Sequence, residues 1–234
     1  MQLPVTAATV AAAGLVGYLI GGIPVGWMVV RRQHHGLDLR RYGSGNVGTS
    51  NVFRHVGLRT AVLIGPIQFA QGLVPVVAAR EAGFPLSVEV LVGLCAVIGN
   101  GWPIYLGFNG GRGIAVATGV VAGLNVIALA GLLACYVLGL LRREIAIGVL
   151  TGFVLLPAIA LLVDGWTLFA GCLTLLLIVV MRRLEGTVSD LRTAGDRRAV
   201  IFDRVVRDRR PGRPLVGPVG ALPEHERTRP FRWR

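Results

Sequence analysis

Long apolar stretches, separated by short polar segments rich in glycine, dominate the chain. Uncharged runs are long: 60–79 is 20 residues and 113–141 is 29. A helix needs about 20 apolar residues to cross a bilayer. No ten-residue stretch alternates in the manner of a membrane β-barrel. The pattern predicts helical spans at 9–30, 60–79, 86–104, 113–124, 126–141, 145–163 and 165–181. The run 113–141 admits two readings. As one helix it would extend roughly 43 Å against a hydrocarbon core of about 30 Å. A break near Gly123 and Asn125 gives two short helices instead.

Sidedness chooses between them. Arg31, Arg32, Arg40, Arg41, Arg54 and Arg59 crowd the segment 31–59, and basic loops stay cytoplasmic. An odd count of seven spans puts this segment, Arg112, Arg142, Arg143 and the C-terminal region on the cytosolic side, with Asp164 and the pair Arg80 and Glu81 outside. An even count would strand 14 C-terminal arginines on the far side. Seven spans are expected. The short 113–124 segment, roughly 18 Å as a helix, reads as part of a discontinuous helix lining a polar cavity.

Composition agrees with this pattern. Of 234 residues, 53% are apolar and 15% charged, against about 25% charged in soluble domains; mean hydropathy is +0.66. A soluble globule is excluded, and the fold class is all-α, a polytopic integral membrane protein. The N-terminus lacks the positive n-region of a cleavable signal, so the first span is expected to be retained. Cys95, Cys135 and Cys172 fall in apolar segments without metal-ligand or redox spacing and read as packed small residues.

The net charge of +12 divides the chain in two. Residues 1–181 form the membrane domain, with 10 arginines against 5 acids. Residues 182–234 form a tail, mostly disordered or lying on the membrane surface, with 14 arginines against 7 acids. Five prolines from Pro211 to Pro230 argue against a folded unit there. Ile201, Phe202, Val205 and Val206 share one helical face, as in a helix lying on the bilayer. Nucleic acid is not needed to explain such a tail. Anionic lipids suffice, at about 1 kcal/mol per arginine near the surface.

Candidate chemistry concentrates in two glycine-rich turns on the side assigned to the cytosol. The first runs from Asp38 through Gly43-Ser-Gly-Asn-Val-Gly-Thr-Ser-Asn51 to Arg54. Gly43, Gly45 and Gly48 allow the backbone close to a ligand, and successive N–H groups in such a turn form an anion nest. Ser44, Asn46, Thr49, Ser50 and Asn51 add neutral donors, and Arg54 adds a bidentate fork suited to phosphate. The second turn sets Gly110, Gly111 and Gly113 around Arg112, directly before an apolar helix. Free N–H groups and the positive dipole end then converge where a phosphate can bind.

The first turn resembles the GSGNxGATN signature of the acyl-phosphate:glycerol-3-phosphate acyltransferases, the PlsY family. Gly22-Ile-Pro-Val-Gly26 is similar to the family's SIPxG, Asp38-Leu-Arg-Arg-Tyr42 to its DIRxx approach, and Gly107-Phe-Asn-Gly-Gly-Arg-Gly-Ile-Ala115 to its GFKGGKGVA. The resemblance covers about residues 15–190. It implies a seven-span bacterial inner-membrane enzyme that moves a fatty acyl group from acyl phosphate to glycerol 3-phosphate, giving lysophosphatidic acid, without metal or coenzyme. Carried over by motif position, Ser44, Asn46 and Arg54 would hold glycerol 3-phosphate. Gly110, Gly111, Arg112 and Gly113 would hold the acyl phosphate and its leaving group, with Ser44 and Arg112 nearest the chemistry. Gly43, Gly45 and Asn51 complete the expected binding set.

Departures from the family pattern are visible. Asn109 and Arg112 stand where the family has lysines, and Asn100 replaces the histidine of GHxFP. Gln68 and Gln71 stand for an acid and a lysine of the second span. Around Met181-Arg-Arg-Leu-Glu-Gly-Thr187 the third motif keeps only its RLxGT flavour. His34, His35 and His55 read as solvated juxtamembrane residues, Glu89 as a snorkelling carboxylate near an outer helix end, and Glu185 as part of the tail. Two other functions stay open: a catalytically lapsed relative binding phosphorylated lipid precursors, and a small transporter built on the break at 123–125.

Overall fold

The computed structural model describes residues 5–33, 38–41 and 45–185, apart from the side chains of Arg41 and Arg54. Gly43, Ser44 and the tail 186–234 lie outside the described residues, as do His34 and His35. Every regular element among the described residues is helical.

Thr6 opens α1 (Ala7–Gly22) with a capping box to Thr9. Pro24 breaks the first span, and α2 (Val25–Gln33) carries it onward. Proline lacks the N–H that would bond the carbonyl four residues back, that of Ile20. Gln71 takes up the slack, its amide donating to Ile20 O at 2.7 Å and Ile23 O at 2.9 Å. The segment expected as a loop at 31–59 is partly helical: α2 continues to Gln33, a 3-10 turn covers Leu39–Arg41, and α3 spans Thr49–His55. Then follow α4 (Leu58–Glu81), α5 (Leu86–Gly101), a 3-10 turn at Ile104–Leu106, α6 (Ile114–Leu124) and α7 (Val126–Leu141). The run 113–141 does break at Asn125. Its side chain caps α7, accepting from Ile127 N at 2.9 Å and Ala128 N at 3.0 Å.

The last helix, α8 (Ile145–Leu184), has 40 residues. At 1.5 Å per residue that is about 60 Å, twice a bilayer core. Gly165, with φ 74° and ψ −158°, breaks it into two arms. The first arm returns along α7, where Gly139 and Gly148 bring backbones together; the second runs beside α5, with Gly171 against Val90. The helix continues past the expected tail boundary at 182, and Arg182 and Arg183 lie in its last turn. Among the described residues four helical segments are long and apolar enough to cross a membrane, Ala7–Gln33, Leu58–Glu81, Leu86–Leu106 and Ile145–Leu184, while α6 and α7 are shorter apolar helices.

Glycines set how closely the legs approach. A Cβ on Gly119 of α6 would stand 1.9 Å from Phe69 O of α4, and one on Gly21 of α1 would stand 2.0 Å from Ala96 O of α5. Backbone-to-backbone contact of this kind replaces the hydrophobic drive that lipid cannot supply. Between these pairs lies the main core, with Val97, Val120, Phe153, Leu156 and Leu175 buried. The legs alternate in direction. Gln33 meets Thr60, Leu58, Asn100, Gly113 and Ile145 surround one space, and Arg182 reaches Gly110 and Gly111, so the connections α2 to α4, α5 to α6 and α7 to α8 gather at one end, with the C-terminus of α8. Both glycine turns are at that end. Arg80 lies at the other, with Glu89.

Candidate active site

The first turn is built on internal hydrogen bonds. Gly45 is left-handed (φ 71°), which suits glycine. Asn46 Oδ1 accepts the N–H of Gly48 at 2.9 Å, an Asx turn that leads into α3. Asn51 is 1% exposed, and its amide donates to Asn46 O at 2.8 Å and Leu39 O at 3.5 Å. These bonds brace the turn from behind. Thr49 fastens α3 to α4, with its hydroxyl 2.8 Å and its N–H 3.3 Å from Gln68 Oε1. His55, expected to be solvated, is buried. Of the residues expected to bind glycerol 3-phosphate, Ser44 and the Arg54 side chain lie outside the described residues.

The second turn lies over the end of α5. The N–H groups of Gly110 and Gly111 donate to Gly101 O (3.2 Å) and Asn100 O (2.9 Å). No side chain fits at Gly110, where a Cβ would stand 2.3 Å from both Asn100 O and Pro103 Cδ. Gly113, at φ 74°, turns the chain into α6, so Arg112 is delivered buried at the helix N-terminus. From the opposite side Arg182 donates to Gly110 O and Gly111 O, each at 3.0 Å, and lies 5.0 Å over the Trp102 ring. Glu185 pairs with Arg182 and accepts from Trp102 Nε1 at 3.3 Å, so it belongs to this cluster and not to a solvated tail.

Both turns open onto one cavity of about 690 Å³. Asn46, Gly48, Thr49, Ser50 and Gln68 line it from the first turn and α4; Asn100, Arg112, Gly113 and Arg183 line it opposite. Thr118 and Tyr136, hydrogen-bonded at 3.0 Å, reach it from α6 and α7. The remaining wall is apolar, including Leu58, Val62, Phe69, Ile145 and Val149. No acidic side chain is among the described residues that line it. Two guanidiniums at one end and hydrocarbon along the rest suit a molecule with phosphate at its head and an aliphatic tail. Of the sequence candidates, Asn46, Arg112 and Gly113 line the cavity; Gly45, Asn51, Gly110 and Gly111 shape the turns behind it. Among the described residues no cluster of three or more His, Cys, Asp or Glu could hold a metal ion.

Thr118 and Tyr136 escaped the sequence reading, and Gln68 and Arg183 entered it only as parts of departing motifs, not as lining of the site. For Arg183 a signal existed: it lies four residues after Val179 and eight after Leu175, on the buried face of α8.

Helical legs packed through glycine, with a cationic cavity at one end of an apolar bundle, define a polytopic integral membrane protein with an anion-suited site at one end of its helices. The family described as glycerol-3-phosphate acyltransferase matches residues 11–189, and the chain belongs to it. It is 34% identical over 203 residues to glycerol-3-phosphate acyltransferase 5 of Dehalococcoides mccartyi, covering 83% of this chain and 86% of that one. To the glycerol-3-phosphate acyltransferase of Geobacter sulfurreducens it is 34% identical, over 78% and 94% of the two chains. The crystal structure of PlsY (YgiH), an integral membrane glycerol 3-phosphate acyltransferase, in its glycerol 3-phosphate form superposes with a TM-score of 0.70 at 25% identity, over 79% of this chain and 92% of that one. The lysophosphatidic acid form gives 0.67, over 83% and 99%.

Proposed function

We propose that the chain acylates glycerol 3-phosphate at the membrane, taking the acyl group from an acyl phosphate in the cavity between the two glycine turns. The observation that carries this reading is the shared cavity, with Arg112 and Arg183 buried at its polar end and an apolar wall leading away from them.

An acyl phosphate is an activated mixed anhydride, so no covalent enzyme intermediate is needed. Arg112 and the α6 N-terminus hold its phosphate, and the wall of Leu58, Val62, Phe69 and Val149 takes the acyl chain. The first turn holds glycerol 3-phosphate through Asn46 and its backbone N–H groups, with Ser44 and Arg54 as further donors. The 1-hydroxyl oxygen attacks the acyl carbonyl carbon, the carbon–oxygen bond to phosphate breaks, and the departing phosphate takes the hydroxyl proton. Arg112 and Arg183 neutralise charge on the oxyanion and on the leaving group. Fixed guanidiniums in a dry site need no reorganisation as that charge develops.

The basic residues gathered at the end with both turns support a cytosolic orientation of the site in a bacterial cell membrane. The C-terminal region, with its excess of arginine, lies against anionic lipid in this reading. Acyl transfer by the purified chain, with labelled glycerol 3-phosphate and palmitoyl phosphate, tests the function. Arg112→Ala and Ser44→Ala should each lower the rate at least tenfold. Saturable binding without turnover by the wild-type chain, or full rates in both variants, would overturn it.

A further inference from the structure

Two adjacent arginines end α8, and their side chains diverge by about 100° around the helix. Arg183 lines the cavity, whereas Arg182 turns to the backbone of the second glycine turn. That turn has unusual geometry. Gly107 (φ 59°), Phe108 (φ 62°) and Gly113 (φ 74°) are all left-handed within seven residues. Phenylalanine keeps such a conformation only where its surroundings impose it.

The N–H of Phe108 donates to Pro103 O at 2.9 Å, and the rest of the turn is held through its own backbone groups. The amides of Gly110 and Gly111 are consumed by Gly101 O and Asn100 O at the end of α5. The carbonyls of the same two residues are consumed by Arg182, through Nη2 and Nε. A trans peptide is planar, so fixing the Gly111 carbonyl fixes the direction of the Arg112 N–H on the other edge of that plane. The guanidinium edge matches two neighbouring oxygens at once, which an ammonium does not. Arg182 is itself held in place, stacked on Trp102 and paired with Glu185, which also accepts from Trp102. Its side chain is 8% exposed, so water competes little for these bonds.

We propose that Arg182 is a positioning residue for acyl-phosphate binding: its guanidinium clamps two carbonyls of the Gly107–Gly113 turn and so sets the pose of Arg112 and the α6 N-terminus. The proposal rests on the reading that this turn holds the acyl phosphate. It gives the third motif of this chain a task that does not depend on a histidine.

Kinetics of the full chain in detergent, varying palmitoyl phosphate and glycerol 3-phosphate separately, test it. Arg182→Gln should raise KM for palmitoyl phosphate at least tenfold and leave KM for glycerol 3-phosphate within twofold. Arg182→Lys should fail to restore it. Hydrogen exchange at 110–114 should accelerate at least tenfold in Arg182→Gln, with the α7 amides unchanged. Unchanged KM values, a parallel rise in both, full rescue by lysine, or exchange that accelerates throughout the bundle would each overturn the proposal. If Arg182→Gln does not fold, Glu185→Gln must show the same selective rise in smaller measure, and a wild-type KM there overturns it. Should the wild-type chain turn over no acyl phosphate, the functional reading fails, and the exchange comparison alone decides the role of Arg182.

Discussion

Asn46 of the first turn and Gly111 of the second face each other: a Cβ on Gly111 would stand 3.5 Å from Asn46 Oδ1 and 2.7 Å from Asn100 Oδ1. The two turns, far apart in sequence, therefore meet behind the cavity, and Gly111 is the spacer between two carboxamides that line it. In Gly111→Ala the new methyl forces the Asn100 amide to move from its 3.4 Å contact with Gly21 O. The clash is with side-chain ends and not with backbone, so the bundle accommodates it while the turn shifts. Displacements of about 1 Å at a reacting centre cost on the order of 100-fold in rate. Gly111→Ala is expected to lose at least tenfold in acyl transfer while melting within a few degrees of the wild type. A wild-type rate would show that the two turns act independently.

The first turn depends on α4 in a similar way. Gln68 Oε1 receives both the N–H and the hydroxyl of Thr49, and these bonds seat the start of α3. Gln68→Leu keeps the volume and removes the acceptor, leaving two donors unpaired beside the cavity, at a cost of about 1–3 kcal/mol each where water cannot replace it. Because α3 carries Thr49 to Asn51, the loss falls on glycerol 3-phosphate. Its KM should rise fivefold or more, with KM for palmitoyl phosphate unchanged. Kinetics in both substrates check this, and an equal rise in the two would assign Gln68 to general stability.

Much of this architecture was legible along the chain because membrane helices announce themselves by length and apolarity. The break at Asn125 followed from counting arginines on each side, and the helix cap found there is the physical reason the run divides. Proximity of the two glycine turns followed from the same count. What stayed hidden was the pairing between distant segments. Arg182 and Glu185 read as the first charges of a basic tail because nothing along the chain distinguishes a partnered charge from a solvated one. Only the contact with Gly110, Gly111 and Trp102 does so. Asn51 shows a second limit. A buried amide bracing its own turn has the same sequence signature as one presented to a ligand.

Glu89 shows how the far end of the bundle is held. A carboxylate in a span was expected to snorkel, yet Glu89 is 6% exposed and accepts from Arg80 Nη2 at 2.7 Å and Nε at 3.1 Å. Arg80 also reaches Leu124 O at 3.3 Å, and Asn125 beside it donates to Asp164 at 3.0 Å. One charge pair thus ties α4 and α5 to the break between α6 and α7. Removing only the cation leaves a buried carboxylate without its partner, a loss of about 3–5 kcal/mol for fully buried pairs. With Arg80 44% exposed, the lower end, about 3 kcal/mol, is expected. Arg80→Ala should melt several degrees below the wild type in detergent. Adding Glu89→Gln removes the stranded charge and should recover at least half of that loss. Both KM values should stay within twofold in either variant, since the pair lies at the opposite end from the cavity. Thermal melting of the single and double variants decides the matter: an Arg80→Ala protein as stable as the wild type would mean that water, and not Arg80, solvates the Glu89 carboxylate.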